Sequence, residues 1–280
     1  MNLPKLLLCT DMDRTVIPNG SEPEHPEARK RFKQFCANTG VNLVYVTGRH
    51  IALVQHAIDH YDLPTPRYVI SDVGTKMYQR DNEQWSEMTE WATEIDKDWK
   101  GYTAFDIKQF FNPISELVLQ ESSKQNTHKL SYYLPLYVDN EEVIRRMEAV
   151  LADIDIEVSL IWSLDEPNNT GLIDVLPRHA TKLHAIEFLQ KKLDYSLEEV
   201  IFAGDSGNDL PVLASQINAV LVDNASSDIK AEARQLVLKN GHVETLYIAN
   251  SNHLAMNGHY SAGVLEGIWH YAPQFRDMLK

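Results

Sequence analysis

Apolar positions along the chain follow two rhythms. Leu6–Thr10 is continuously apolar, as a strand buried on both faces should be. Ala28 to Asn38 then carries Phe32, Phe35 and Cys36 on one helical face. "VNLVYVTGRH" reads as a second buried strand running into Thr47-Gly48, and "HIALVQHAIDHY" as an amphipathic helix. "RYVISDVGTKMY" is predicted to be another strand, ending at Gly74-Thr75. From about Gln79 to Asn169 the texture changes. A long helix is predicted in "NEQWSEMTEWATEIDKDW" and a one-faced strand in "THKLSYYLPLYV". A helix in "NEEVIRRMEAVLADI" and a strand in "DIEVSLIW" follow. After "DEPNNTG" the first rhythm resumes. "LIDVLP" is a strand, "TKLHAIEFLQKKL" a helix and "EVIFAGDS" a strand, with "NAVLV" and "QLVL" as two more strands.

Strand and helix alternating in this way predict an α/β fold, a doubly wound and mostly parallel sheet. The middle of the chain reads as an inserted α+β module. The expected division is residues 1–78 and 170–280 for the core and 79–169 for the insert.

Composition narrows the picture. The 280 residues carry a net charge of −14 and no basic stripe, which argues against nucleic acid as a partner. No apolar run approaches the ~18 residues of a membrane span, so no membrane partner is expected. Only Cys9 and Cys36 occur, and no signal-peptide pattern opens the chain. Both point to a reduced, cytoplasmic protein.

The chemistry concentrates in four patterns, each just past a predicted core strand or at the start of the next helix. They are Asp11-x-Asp13-x-Thr15, Val46-Thr47-Gly48-Arg49, Thr181-Lys182 and "GDSGND" from Gly204 to Asp209. In open parallel sheets that edge is where ligands bind. Taken singly each pattern is bland. Thr47-Gly48 is a strand-ending turn, Lys182 a surface lysine, and the acids solvated turn residues. Four such patterns in this order are not bland.

Asp11, Asp13, Asp205 and Asp209 converge four acids with no obvious cation beside them. Mg²⁺ is the natural counter-ion, being a hard cation that takes oxygen ligands. The Thr47 hydroxyl, the amides after it and the Lys182 ammonium suit a tetrahedral dianion. Asp11 can attack phosphorus, and Asp13 can serve as acid and then base.

In this order and context the four patterns resemble those of the haloacid dehalogenase superfamily of phosphatases. Further stretches resemble its sucrose-phosphate phosphatases: "VTGRH", "SDVGTKMY", "THKLSYYL", "IDVLPRHATKLHAI" and "GHYSAGVLEGIWHY". The resemblance implies Asp11 as nucleophile and Mg²⁺ ligand, and Asp13 as acid/base with its main-chain carbonyl on the ion. It implies Thr47, Gly48 and Lys182 on the phosphate. It places Asp205 on Mg²⁺, directly or through water, with Asp209 and Asn208 in support. The insert corresponds to a substrate-specificity cap. Arg14 departs from the superfamily, which often has Gly or Asn there, and points to an unusual contact near the cap.

In the insert, Gln120, His128, Lys129 and Ser131 either line a sugar pocket, with Tyr132 or Tyr133, or form a polar strand face in solvent. The expected activity is Mg²⁺-dependent hydrolysis of a sugar phosphate through an aspartyl-phosphate, first of all sucrose 6-phosphate. Mannosylfructose phosphate, glucosylglycerol phosphate, mannosyl-3-phosphoglycerate or a hexose phosphate are alternatives. So is a non-catalytic sugar-phosphate-binding module. The enzyme that makes the sugar phosphate is a candidate partner.

Overall fold

The apolar run Leu6–Thr10 is strand β1, buried at every residue. Next come α1 (Ala28–Cys36), β2 (Val41–Val46), α2 (Ile51–Tyr61), β3 (Tyr68–Ser71), β4 (Lys76–Asp81) and β5 (Gln84–Glu87). Then follow α3 (Thr89–Trp99), α4 (Ala104–Phe110), β6 (Val118–Leu119), β7 (Leu130–Leu134), α5 (Asn140–Ala152), β8 (Val158–Asp165) and β9 (Thr170–Pro177). The rest is α6 (Lys182–Lys192), β10 (Val200–Gly204), α7 (Leu210–Leu213), β11 (Asn218–Leu221), α8 (Ser227–Asn240), β12 (Leu246–Ile248) and α9 (Ser261–Tyr271). These elements come from a computed structural model that describes residues 4–165 and 168–279.

The chain divides into two compact units, Met1–Glu87 with Lys182–Lys280, and Met88–Thr181. Both junctions fall later than the residue pattern places them. The first unit holds an eight-stranded sheet, ordered β12-β11-β10-β1-β2-β3-β4-β5. Pairing is parallel from β12 to β3 and antiparallel for β4 and β5. The chain steps outward from β1 through β2 to β3, and outward on the other side through β10 to β12. The winding therefore reverses between β1 and β10, and a crevice at the strand ends is expected there. Phe32 and Phe35 of α1 and Val264, Leu265 and Ile268 of α9 join the strand residues Leu8, Tyr45, Ile201 and Val220 in one buried core.

The second unit is an antiparallel sheet, β6-β7-β9-β8. One face packs on its helices through Trp99, Ile107, Phe111, Tyr132, Val143, Met147 and Ile173. The opposite face carries Ser131 and Asp174, directly paired in the ladder.

Three expectations need correction. "NEQWSE" is not helical. Asn82 and Glu83 both take positive φ (47° and 66°), which makes the tight turn of a β4–β5 hairpin. "LIDVLP" forms β9, which belongs to the second unit's antiparallel sheet and not to the core sheet. "QLVL" is part of α8. Ser226 caps that helix by accepting a hydrogen bond from Ile229 N (3.3 Å), and only Val237 of the four is buried. The last strand is instead the short β12.

Gly267 shows how closely α9 lies on the sheet. A Cβ there would stand 2.0 Å from Val220 Cγ2 of β11. Gly267→Ala should lower stability by about 3 kcal/mol through overpacking, read as a reduced urea midpoint with an unchanged slope.

Candidate active site

Asp11 leaves β1 one residue past its end, and its N–H donates to Ala203 O of β10 at 2.8 Å. Its carboxylate therefore sits where the winding reverses. Asp205 follows β10 directly. Its neighbour Gly204 is required, since a Cβ there would lie 2.5 Å from the Asp209 carboxyl. That approach lets Asp209 Oδ2 accept from the N–H of Asp205 (3.0 Å) and of Ser206 (3.1 Å), closing the "GDSGND" turn. One carboxylate oxygen from each of Asp11, Asp205 and Asp209 lies within 4.8 Å of the others, and all three residues are buried.

Lys182, the first residue of α6, brings a cation into this cluster. Its Nζ lies 3.2 Å from Asp11 Oδ1 and 2.7 Å from Asp209 Oδ1, and it donates to Asn208 Oδ1 at 3.0 Å. The lysine side chain is only 3% exposed, so it is no surface lysine. Burial works against its charge, but the two carboxylates outweigh burial and hold its pKa above the ordinary lysine value.

Burial pushes the Asp11 carboxyl up to about 7, helped by Asp209 and opposed by Lys182. Burial also raises Asp205 to about 6, with Asp209 adding to the rise and Thr15 and Arg14 opposing it. Asp13 behaves differently. Burial would raise it, but two hydrogen bonds from Arg49 (2.7 and 2.6 Å) and one from Asn19 (2.7 Å) hold it below the carboxylate range. The two acids of one tripeptide are thus pushed in opposite directions, Asp11 upward by burial and Asp13 downward by Arg49 and Asn19.

The acids do have cationic partners, which corrects the reading of an unaccompanied cluster. Lys182 serves Asp11 and Asp209, Arg49 serves Asp13, and Arg14 Nε lies 3.3 Å from Asp205 Oδ2. Lys182 was legible as a candidate. Arg49 stood inside a quoted pattern, and only its contact with Asp13 shows what it does. The Arg14 side chain reaches Asp205 and Asn224, both within its own unit.

Thr47 is buried at the end of β2, and its N–H donates to Ile70 O (2.8 Å). Its Oγ1 accepts from Arg49 N at 3.2 Å, and Gly48 is exposed with open space on its Cβ side. Asp13 lies outside the three-acid group, its carboxylate turned to Arg49.

Gln120 and Lys129 belong to the second unit. Both are buried there. Gln120 Nε2 donates to Tyr132 O at 3.0 Å, and Lys129 Nζ lies 4.0 Å from Asp174 Oδ2. Ser131 donates its hydroxyl to the same Asp174. His128 is buried and faces Asp96 at 3.1 Å. Gln120, Lys129 and Ser131 with Asp174 thus form a polar cluster that is not simply solvated.

The donor set suits a hard divalent cation. Three buried carboxylates face one buried ammonium and the half-exposed Arg14 guanidinium, and burial still holds Asp11 and Asp205 above the ordinary carboxylate range.

The arrangement of parallel sheet, acid pair and lysine is that of HAD-type phosphatases, which are phosphoric monoester hydrolases. The structure superposes on the X-ray structure of the sucrose-phosphatase from Synechocystis sp. PCC6803, in complex with sucrose and phosphate, with a TM-score of 0.72 at 22% identity. That match covers 96% of this chain and 98% of the other. The sequence matches the sucrose-6F-phosphate phosphohydrolase model over residues 4–272, and the chain belongs to that family. It is 46% identical over 272 residues to a protein of Nitrosococcus oceani named "Putative HAD-like hydrolase", covering 97% of this chain and 73% of that one. It is 27% identical to the mannosylfructose-phosphate phosphatase of Agrobacterium fabrum, covering 83% and 88%. Among the described residues no helix is long and apolar enough to cross a membrane.

Lys182→Ala would leave Asp11 and Asp209 buried without their shared cation. In chelator, stability should fall by about 3–5 kcal/mol, measured as the free energy of urea unfolding.

Proposed function

We propose that the protein is a Mg²⁺-dependent sugar-phosphate phosphatase working through an aspartyl-phosphate, with sucrose 6-phosphate as its first substrate. The observation that carries this reading is the buried contact of Lys182 with Asp11, inside a group of three carboxylates at the reversal point of the sheet.

Asp11 is the nucleophile. Lys182 favours its ionised form against the burial that raises it, and its carboxylate oxygen attacks phosphorus as the ester P–O bond breaks. Asp13 protonates the departing sugar oxygen and then takes a proton from the water that hydrolyses the acyl phosphate. The Thr47 hydroxyl, the Gly48 amide and Lys182 hold the phosphoryl oxygens, with Asn208 fixing the lysine. Asp11, Asp205 and the Asp13 main-chain carbonyl would hold Mg²⁺, with Asp209 in support. The bound ion supplies charge that offsets repulsion between the carboxylate nucleophile and the phosphate dianion.

Substrate choice falls to the second unit. Gln120 and Lys129, with Ser131 and Asp174, offer the donors and acceptors that a hydroxyl-rich ligand needs. The family match and the mannosylfructose-phosphate phosphatase relative support a disaccharide phosphate over a hexose phosphate. Only the second unit can separate the disaccharide candidates, since the core residues meet only the phosphate.

A panel of sucrose 6-phosphate, mannosylfructose phosphate, glucosylglycerol phosphate, mannosyl-3-phosphoglycerate and glucose 6-phosphate tests this. Sucrose 6-phosphate should give the highest kcat/KM, by tenfold or more over glucose 6-phosphate, and EDTA should abolish turnover of all five. Equal rates across the panel, or turnover undiminished by EDTA, would contradict it.

A further inference from the structure

Arg14 is held against Asp205 by more than chance contact between surface charges. Its backbone takes φ 57°, a conformation that L-residues with a Cβ adopt reluctantly. Three bonds fix it there. Its N–H donates to Asn19 Oδ1 at 2.8 Å, its carbonyl accepts from Asn224 Nδ2 at 2.6 Å, and its Nη2 donates to Asn224 O at 3.3 Å.

Asn224 is itself buried, and its Oδ1 accepts from Tyr260 N at 2.8 Å. Tyr260 is buried at the head of α9, with its hydroxyl donating to Glu22 O at 3.0 Å. A relay thus runs from the C-terminal segment through Asn224 to the loop after the nucleophile. Its effect is to deliver a guanidinium to one oxygen of Asp205, 3.3 Å away. The other oxygen of Asp205 accepts from Thr15 Oγ1 at 3.2 Å.

We propose that Arg14 is a built-in counter-charge that sets how tightly the acid cluster holds its divalent cation. This rests on the reading of Asp205 as a Mg²⁺ ligand. Arg14 partly neutralises Asp205 when the cluster is stripped of its ion, and it opposes the ion's charge when the ion is bound. The protein therefore keeps a preformed site without metal, and binds metal less tightly than three carboxylates and one lysine would alone. The size of the effect follows from exposure. The Asp205 side chain is 3% exposed but that of Arg14 is 46%, so solvent screens the repulsion and the effect is one of several-fold, not of many orders.

The test is calorimetric titration of Mg²⁺ into the chelator-stripped full chain at low ionic strength, with melting temperatures in EDTA and in saturating Mg²⁺. Arg14→Asn is the main variant, because Asn tolerates the left-handed backbone and keeps the main-chain bonds to Asn19 and Asn224. It should bind Mg²⁺ about three- to tenfold more tightly than the parent. It should also melt lower in EDTA and gain more from Mg²⁺. Arg14→Lys, which keeps the charge, should return the affinity toward that of the parent. An Arg14→Asn affinity within twofold of the parent, or weaker, overturns the proposal. So does an Arg14→Lys affinity as tight as that of Arg14→Asn, since charge would then not be the cause. In both cases the Mg²⁺ reading survives if Asp205→Asn still loses binding. A parent protein that takes up no Mg²⁺, or an Asp205→Asn variant that binds it unchanged, overturns both.

Discussion

The site depends on one ammonium group. Lys182 Nζ reaches Asp11 and Asp209, two carboxylates that come from opposite ends of the chain and meet only because β1 and β10 are neighbours. With Asp205 they make three buried carboxylates; removing these from water is costly, and isolated they would take up protons. Burial still raises Asp11 and Asp205 despite Lys182 and, on Asp205, Arg14. A cluster left short of positive charge is poor for stability, but it suits a divalent cation.

The surrounding fold serves that arrangement. Reversal of the winding between β1 and β10 opens the sheet edge, and Gly204 allows Asp209 to approach the backbone closely enough to accept two amide hydrogens. Asp209 is thereby an anchor. Asp205, with Thr15 and Arg14 on its oxygens, stands at the site itself. Asp13 is separated electrostatically from Asp11, although only two residues along, because Arg49 and Asn19 take its carboxylate.

Much of this was legible in the sequence. Continuous apolar runs marked the buried parallel strands, and the four short patterns sat at or just past strand ends or at a helix start. Lys182, expected as a cation for the site, lies against Asp11 and Asp209, although β9 before it proved to belong to the second unit. What the sequence hid has a physical reason in each case. The β4–β5 hairpin depends on two residues with positive φ, Asn82 and Glu83, which carry no glycine signal. "QLVL" has strand-like composition, yet the Ser226 cap and the register of α8 decide its fate. The roles of Arg49 and Arg14 depend on where long side chains reach, and no spacing rule gives that. The same holds for Asn224, which joins segments more than 200 residues apart.

The central claim is that Asp11 carries the phosphoryl group between two chemical steps. Acid-quenching a single turnover with substrate and Mg²⁺, followed by peptide mass analysis, tests it directly. The account predicts a hydroxylamine-labile phosphate on the peptide containing Asp11, and none in Asp11→Asn. Product formed without any phosphorylated peptide, or a phosphate found on another residue, would contradict it.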